Sequence, residues 1–343
     1  NATEVLLGNY QGPACPGGGG DCLVSLQAWI ARLNVGGTTS ALPGVPEGCA
    51  RDESGIAAAV AAAKGADVVV LALGGICHEG EGTDRDDLAL PGSQQALVDA
   101  LGAERIPTAA VLINGGPYGI DALKASPAAI LQAGFPGQAG AMATAEALFG
   151  ELNPSGKLTT TIYPAAYAHG EPVRGTRWMD ASLRPHLTSE GRTHMFYTGQ
   201  PVFPFGFGLS YTEFEMRWEG STPLDVALPL ASIEEGLLQL SYTLHLTNIG
   251  GVGGKETVLL YWTPPKEVDA QLIQQLVGFE SAYIDAGASA NLTFTLPKAL
   301  ELATVSEGGD RIFYPGRYNL VFSRGHGTTV SSAAVSSAIV SSA

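Results

Sequence analysis

The sequence has 343 residues, 45% of them hydrophobic, with 33 acidic against 18 basic side chains and a formal net charge of −15. That length accommodates two or three domains with sizeable cores, and no apolar run reaches the roughly 20 residues that span a bilayer, so no membrane partner is expected. So large an acidic excess argues against a phosphate backbone, hence against nucleic acid, and suits an extracellular protein.

The chain starts at Asn1 rather than Met and shows no signal peptide, which predicts a processed or partial product. Residues 4 to 9, EVLLGN, read as a short strand. The glycine loop CPGGGGDC follows, then LVSLQAWIARL, with the apolar spacing of a helix that lays one face on a sheet. ESGIAAAVAAAK, residues 53 to 64, is a second, alanine-rich helix. Four cysteines, Cys15, Cys22, Cys49 and Cys77, all fall in the first 77 residues. Cys15 and Cys22 flank a loop flexible enough to close a small ring, and Cys49 and Cys77 each follow an expected sheet edge where they can meet. Four cysteines allow three pairings, among which the sequence does not choose. Their spacing fits no zinc pattern, and no metal is expected.

Next comes ADVVVLALGGICHEGEGTDRDDLALPG, residues 66 to 92. The continuous apolar run Val68 to Leu73 is too short for a free-standing helix and rich in β-branched residues. It predicts a fully buried strand of a parallel sheet. Gly74 and Gly75 stop it, and a polar loop carries Glu79, Glu81, Asp84, Arg85, Asp86 and Asp87 before Pro91-Gly92 announces the helix SQQALVDALGA. Ligands of open α/β sheets bind just past the carboxyl ends of the strands, and carboxylates placed there suit acid/base chemistry. On position alone, a solvated acidic loop capping the next helix is an equal reading.

The strand IPTAAVLINGGP, the helix IDALKA, the buried strand AAILQAG (128 to 134), the loop FPGQAG and the helix AMATAEALFGEL continue the alternation. That pattern predicts parallel βαβ units. Gln138, before the last of these helices, caps it or touches a sugar, and capping is the favoured role. From Tyr167 to His194 the periodicity lapses into a long polar connection of the kind that is usually functional or wraps a neighbour. The aromatic-rich MFYTGQPVFPFGFGLSYTEF (195 to 214) leads into LLQLSYTLHLTNIG, KETVLLYWTP, QLVGFESAYIDAG, ASANLTFTL and GRYNLVFSRG, short alternating strands separated by glycine turns. These predict a two-sheet sandwich held by its apolar core, since no cysteine lies there. The predicted organisation is an α/β domain over 1–165, a connector over 166–204, a β-sandwich over 205–326 and a low-complexity serine/alanine/valine tail over 327–343, flexible or partner-binding. Asn1 and Asn291 head N-glycosylation sequons.

The motif E-x-E-G-x-D-R followed by L-x-L-P-G, directly after a strand ending in glycines, resembles the acid/base loop of glycoside hydrolase family 3. Within that family it is most similar to the fungal and plant β-xylosidases. LLGNYQGP near the start, residues 134 to 165 and residues 195 to 214 resemble further blocks of the family. Thr247 to Gly250, Gly254 to Glu256 and Leu276 to Glu280 resemble its fibronectin type III-like domain. The resemblance implies an α/β sandwich followed by that domain, and cofactor-free hydrolysis of terminal β-linked sugars with retention. Retaining enzymes place two carboxyl groups about 5–5.5 Å apart across the scissile bond, one as nucleophile and one as acid and then base.

On this resemblance Glu81 aligns with the acid/base and Glu79 is the runner-up. Asp84 and Arg85 pair with each other or with neighbouring loops and hold the loop in place. His78 stands where fungal relatives carry other polar residues and, with Gln138, is a candidate substrate contact. The family's nucleophile is an aspartate on an N-terminal (β/α)8 barrel, and no segment here resembles it. The first strand of the family's α/β domain, which precedes the LLGNY block, is absent too. The expectation is therefore the C-terminal part of a secreted, retaining, exo-acting β-glycosidase, active on oligosaccharides only with the barrel of the same enzyme as a separate or nicked chain. The alternative is a non-catalytic relative, a structural or sugar-binding component of an extracellular assembly.

Overall fold

The structure is a computed structural model that describes residues 4–8, 14–15, 22–46, 48–125, 129–169, 182–219, 225–227, 241–295, 303–305, 308–312, 314, 317–325 and 336–339. Asn1, most of the predicted connector's centre and most of the tail lie outside these residues. Two compact units are present: one of residues Asn1–Leu152, Ile162–Asp180 and Gln200–Val202, the other of Asn153–Thr161, Ala181–Gly199 and Phe203–Ala343.

The first unit is α/β. Helices α1 (Leu26–Leu33) and α2 (Ile56–Ala63) precede strand β1 (Val69–Gly74). Then α3 (Gln94–Ala103), β2 (Thr108–Ile113), α4 (Asp121–Ala125), β3 (Ala129–Gln132) and α5 (Gly140–Phe149) follow in strict alternation. The strands form a parallel sheet in the order β1-β2-β3, with Leu71 opposite Ala110 and Ala110 opposite Ile130. Central β2 is sealed: Ala110, Val111 and Leu112 are 0–1% exposed. Leu97, Val98 and Leu101 of α3, Leu123 of α4 and Ala145 of α5 complete the core. Helix α1 starts where the Ser25 hydroxyl accepts from the Ala28 amide, a cap that satisfies one orphan donor, and it packs on α5.

Two expectations are corrected here. Residues Glu4–Leu7 form a 3-10 turn, not a strand. A strand needs a ladder partner, and this segment instead buries Leu6 and accepts at the Leu6 carbonyl from the Gly137 amide. The second concerns the central apolar run, which is not fully buried. Among the described residues β1 is an edge strand, and Val68 (57% exposed) and Ala72 face outward. The free edge is closed at one point. The buried Gln94 side chain accepts from the Gly74 amide at 2.7 Å and donates to the Gly74 and Gly48 carbonyls at 2.8 and 3.2 Å, so the last residue of β1 has its backbone groups satisfied. Of the three possible cysteine pairings, the structure contains Cys15–Cys22 and Cys49–Cys77.

Among the described residues the second unit is all-β apart from the short helix α6 (Thr193–Phe196). Strands β4 (Phe214–Glu219), β5 (Asp225–Ala227), β6 (Ser241–Asn248), β7 (Gly254–Thr263), β8 (Gln275–Ile284), β9 (Ser289–Thr295), β10 (Thr304–Val305), β11 (Arg311–Ile312), β12 (Arg317–Ser323) and β13 (Ser336–Ile339) follow. They make a three-stranded sheet β4-β6-β9, a five-stranded sheet β5-β13-β12-β7-β8 and the small pair β10-β11. Period-2 alternation sends Tyr242, Leu244, Leu246, Leu292 and Phe294 inward against Trp262, Tyr318, Leu320 and Phe322. The opposite face of β6 and β9 is a row of polar cross-strand pairs, Thr243 with Thr293, His245 with Asn291 and Thr247 with Ser289. Four residues of the predicted flexible tail are strand β13, paired antiparallel to β12. The serine, alanine and isoleucine of that segment complete a ladder that β12 would otherwise leave open on that side.

Candidate active site

The loop that follows β1 is built from its first glycine. Gly74 has φ +109°, and a Cβ there would stand 2.1 Å from the Ile113 carbonyl oxygen, so only glycine lets the chain turn this close to β2. Three residues on, Cys77 is buried and bonded to Cys49. The chain then reverses through His78, which sits at φ +53°. Glu79 turns inward. The next four residues close a two-residue hairpin: the Gly80 and Thr83 amides each donate to the other's carbonyl at 3.1 Å, with Gly82 at φ +74°. Glu81 is the tip of that hairpin, exposed, and its carboxylate has no partner among the described residues. The loop returns through Arg85 and is fastened again where the Gly119 amide donates to the Leu88 carbonyl at 2.7 Å.

The two candidate carboxylates therefore stand in opposite surroundings. Glu79 Oε1 receives the Arg85 Nε at 2.9 Å and the Tyr118 hydroxyl at 3.3 Å, while Oε2 receives the Gly115 amide at 2.8 Å. Both oxygens are occupied. Arg85 lies over the Tyr118 ring, 4.3 Å from its centroid, and donates through Nη2 to the Pro117 carbonyl at 3.0 Å. Tyr118 is 1% exposed. Burial first, and then the Glu79 charge, push its phenol well above the usual range, so it is a fixed donor. The turn it belongs to is shaped by Asn114, whose side chain donates to the Gly116 carbonyl at 2.6 Å.

The expected support of the loop is corrected in part. Arg85 pairs with Glu79, and Asp84 is exposed with no partner among the described residues. An aspartate on the outward side of the hairpin's second arm cannot reach the guanidinium that Glu79 Oε1 and the Tyr118 ring hold inward. Gln138 does not cap α5: the N-cap is Ala139, without a side-chain hydrogen bond, and Gln138 is exposed. His78 is exposed beside the loop. Sequence reasoning missed Tyr118, Gln94 and Asn114. The glycines of NGGPYG after β2 mark a close backbone approach and were the one signal that pointed to that segment. Among the described residues no group of three His, Cys, Asp or Glu could hold a metal ion, and no helix is long and apolar enough to cross a membrane.

A family model described as the glycosyl hydrolase family 3 C-terminal domain matches residues 1–211. The chain belongs to glycoside hydrolase family 3. A fibronectin type III-like model matches residues 256–324, and so the family's α/β domain is followed here by its β-sandwich. The chain is 34% identical over 346 residues to the probable exo-1,4-beta-xylosidase xlnD of Aspergillus terreus and 33% identical to beta-D-xylosidase 1 of Arabidopsis thaliana. In each case the match takes in 93% of this chain but only 40% and 43% of the relative. The chain thus spans about two fifths of the length of these curated family 3 relatives. Among solved structures, a GH3 exo-beta-xylosidase in complex with a xylobiose aziridine probe superposes with a TM-score of 0.81 at 29% identity, over 99% of this chain and 43% of that one. The GH3 beta-glucosidase of Bifidobacterium adolescentis gives 0.72 at 30% identity, over 93% and 45%.

Proposed function

We propose that this chain is the C-terminal part of a retaining, exo-acting β-glycosidase of the β-xylosidase type, and that Glu81 is its general acid/base. The observation that carries the reading is the division of labour between the two carboxylates. A general acid needs an oxygen free to face the leaving group. Glu79 has both oxygens engaged, by Arg85 of its own loop and by Gly115 and Tyr118 of the segment after β2, whereas Glu81 is presented at a hairpin tip with neither engaged by a described residue. In the proposed reaction Glu81 protonates the glycosidic oxygen as the bond to the sugar breaks, then takes a proton from the water that hydrolyses the glycosyl-enzyme. The nucleophile is an aspartate on the barrel supplied by the rest of the enzyme, and the substrate is a short β-linked oligosaccharide ending in xylose or a related sugar. Secretion fits the two disulfides, which persist in oxidising compartments, and the exposed sequon residue Asn291 on the outer face of β9.

The test uses the enzyme with its barrel. In Glu81→Gln, turnover of xylobiose is expected to fall about 10²- to 10⁴-fold, the range general acid catalysis supplies. A dinitrophenyl xyloside, whose leaving group needs no proton, should retain formation of the glycosyl-enzyme, and azide should restore its breakdown. Unchanged xylobiose hydrolysis overturns the assignment. The same signature in Glu79→Gln instead would move the role to Glu79. This chain without the barrel is expected to hydrolyse neither substrate.

A further inference from the structure

We propose that Tyr118 is a positioning residue for the acid/base: acting through Glu79, its hydroxyl fixes where the hairpin tip bearing Glu81 stands. The proposal rests on the reading of Glu81 as the acid/base.

The segment after β2 holds the loop at four places. The Gly115 amide takes Glu79 Oε2, the Pro117 carbonyl takes Arg85 Nη2, the Tyr118 hydroxyl takes Glu79 Oε1, and the Gly119 amide takes the Leu88 carbonyl. This segment is itself tied to its surroundings. Asn114 ties it at Gly116, and Gly119 is so close to residue 165 that a Cβ would lie 2.4 Å from the Ala165 backbone. Glu79 immediately precedes Gly80, the first residue of the hairpin, so the angle of its side chain sets the angle at which the hairpin leaves the domain. Arg85 on Oε1 and the Gly115 amide on Oε2 define the line of the carboxylate, about which its plane can still tilt; the phenol hydroxyl on Oε1 supplies the third direction that stops it. The ring accounts for burial and for the stacking of Arg85 at 4.3 Å, and phenylalanine would provide both. The hydroxyl is what packing does not explain. Its only acceptor among the described residues is Glu79 Oε1.

The experiment is Tyr118→Phe in the barrel-containing enzyme, assayed beside Glu81→Gln. Misplacing a catalytic group by an ångström costs up to about 10²-fold, so a fall of about tenfold in kcat on xylobiose is expected, with KM within about twofold and the dinitrophenyl xyloside scarcely affected. In the isolated chain, amide exchange at Gly80 and Thr83 should speed up while the amides of β2 stay as protected as before. A purely structural tyrosine would lower both substrates together and loosen β2, and that result overturns the proposal. So does an unchanged xylobiose rate, or a variant that fails to fold. If Glu81→Gln leaves xylobiose hydrolysis intact, the acid/base reading itself fails and this proposal with it. If Glu81→Gln behaves as expected and Tyr118→Phe shows no leaving-group dependence, the positioning role alone fails.

Discussion

His194 shows how one residue reports on the packing of the second unit. Its ring stacks on Phe205 with centroids 4.1 Å apart, and its Nε2 is buried without a partner among the described residues. Burial penalises the imidazolium and pulls the pKa below 6.5. The unfolded chain therefore binds a proton near pH 6.5 that the folded one refuses until lower pH. Stability from this residue is fully present above pH 6.5 and is lost as pH falls below it. Urea midpoints taken between pH 7.5 and 5 should drop less steeply in His194→Phe than in the parent. The residue scale is also where sequence reading reached its limit at the site. E-x-E presents two glutamates two positions apart, and nothing in that spacing says that one turns inward to Arg85 while the other caps a hairpin. That choice depends on Gly115, Pro117 and Tyr118, which are some 35 residues further on.

At the scale of elements, the second unit is pinned by a buried ion triad. Glu256 on β7 is 2% exposed; its Oε1 meets Lys157 Nζ at 2.8 Å and its Oε2 meets Arg324 Nη2 at 3.0 Å. Arg324, just past β12, also donates through Nη1 to the Phe214 carbonyl at 2.6 Å, and Lys157 to the Arg324 carbonyl at 2.8 Å. Burial depresses the Lys157 pKa, and the Glu256 charge opposes that shift. Segment 153–161 and the end of β12 thus meet the Glu256 carboxylate of β7, and β4 is joined to them through Arg324. Glu256→Gln keeps the shape but leaves two buried cations short of their counter-charge. It is expected to destabilise this unit by about 3–5 kcal/mol, read as a lower urea midpoint at unchanged slope. Elements with strong periodicity, such as α3, β6 and β7, were legible because their apolar faces alone decide the period. The 3-10 turn at Glu4–Leu7 was not, because whether four apolar residues extend depends on a partner strand that the sequence of the segment does not contain.

At the scale of the molecule, both disulfides lie in the first unit and none in the second. Cross-links 7 and 28 residues apart in sequence contribute about 2–4 kcal/mol each by restricting the unfolded chain. Reductant is accordingly expected to lower the thermal transition of the α/β unit by several degrees and to leave that of the β-sandwich in place, which calorimetry with and without dithiothreitol will read. The order of the elements, the switch from βαβ alternation to short strands and the family itself were determined by the sequence, because they rest on local period, on glycine punctuation and on motifs contiguous in the chain. Which cysteines pair, that Gln94 closes the edge of β1, that Tyr118 and Arg85 hold Glu79, and that part of the serine-rich tail is a strand were decided only by the tertiary structure. Each of these joins residues far apart in sequence, and the energy that selects such a contact comes from burying or satisfying both partners at once, which neither segment records by itself.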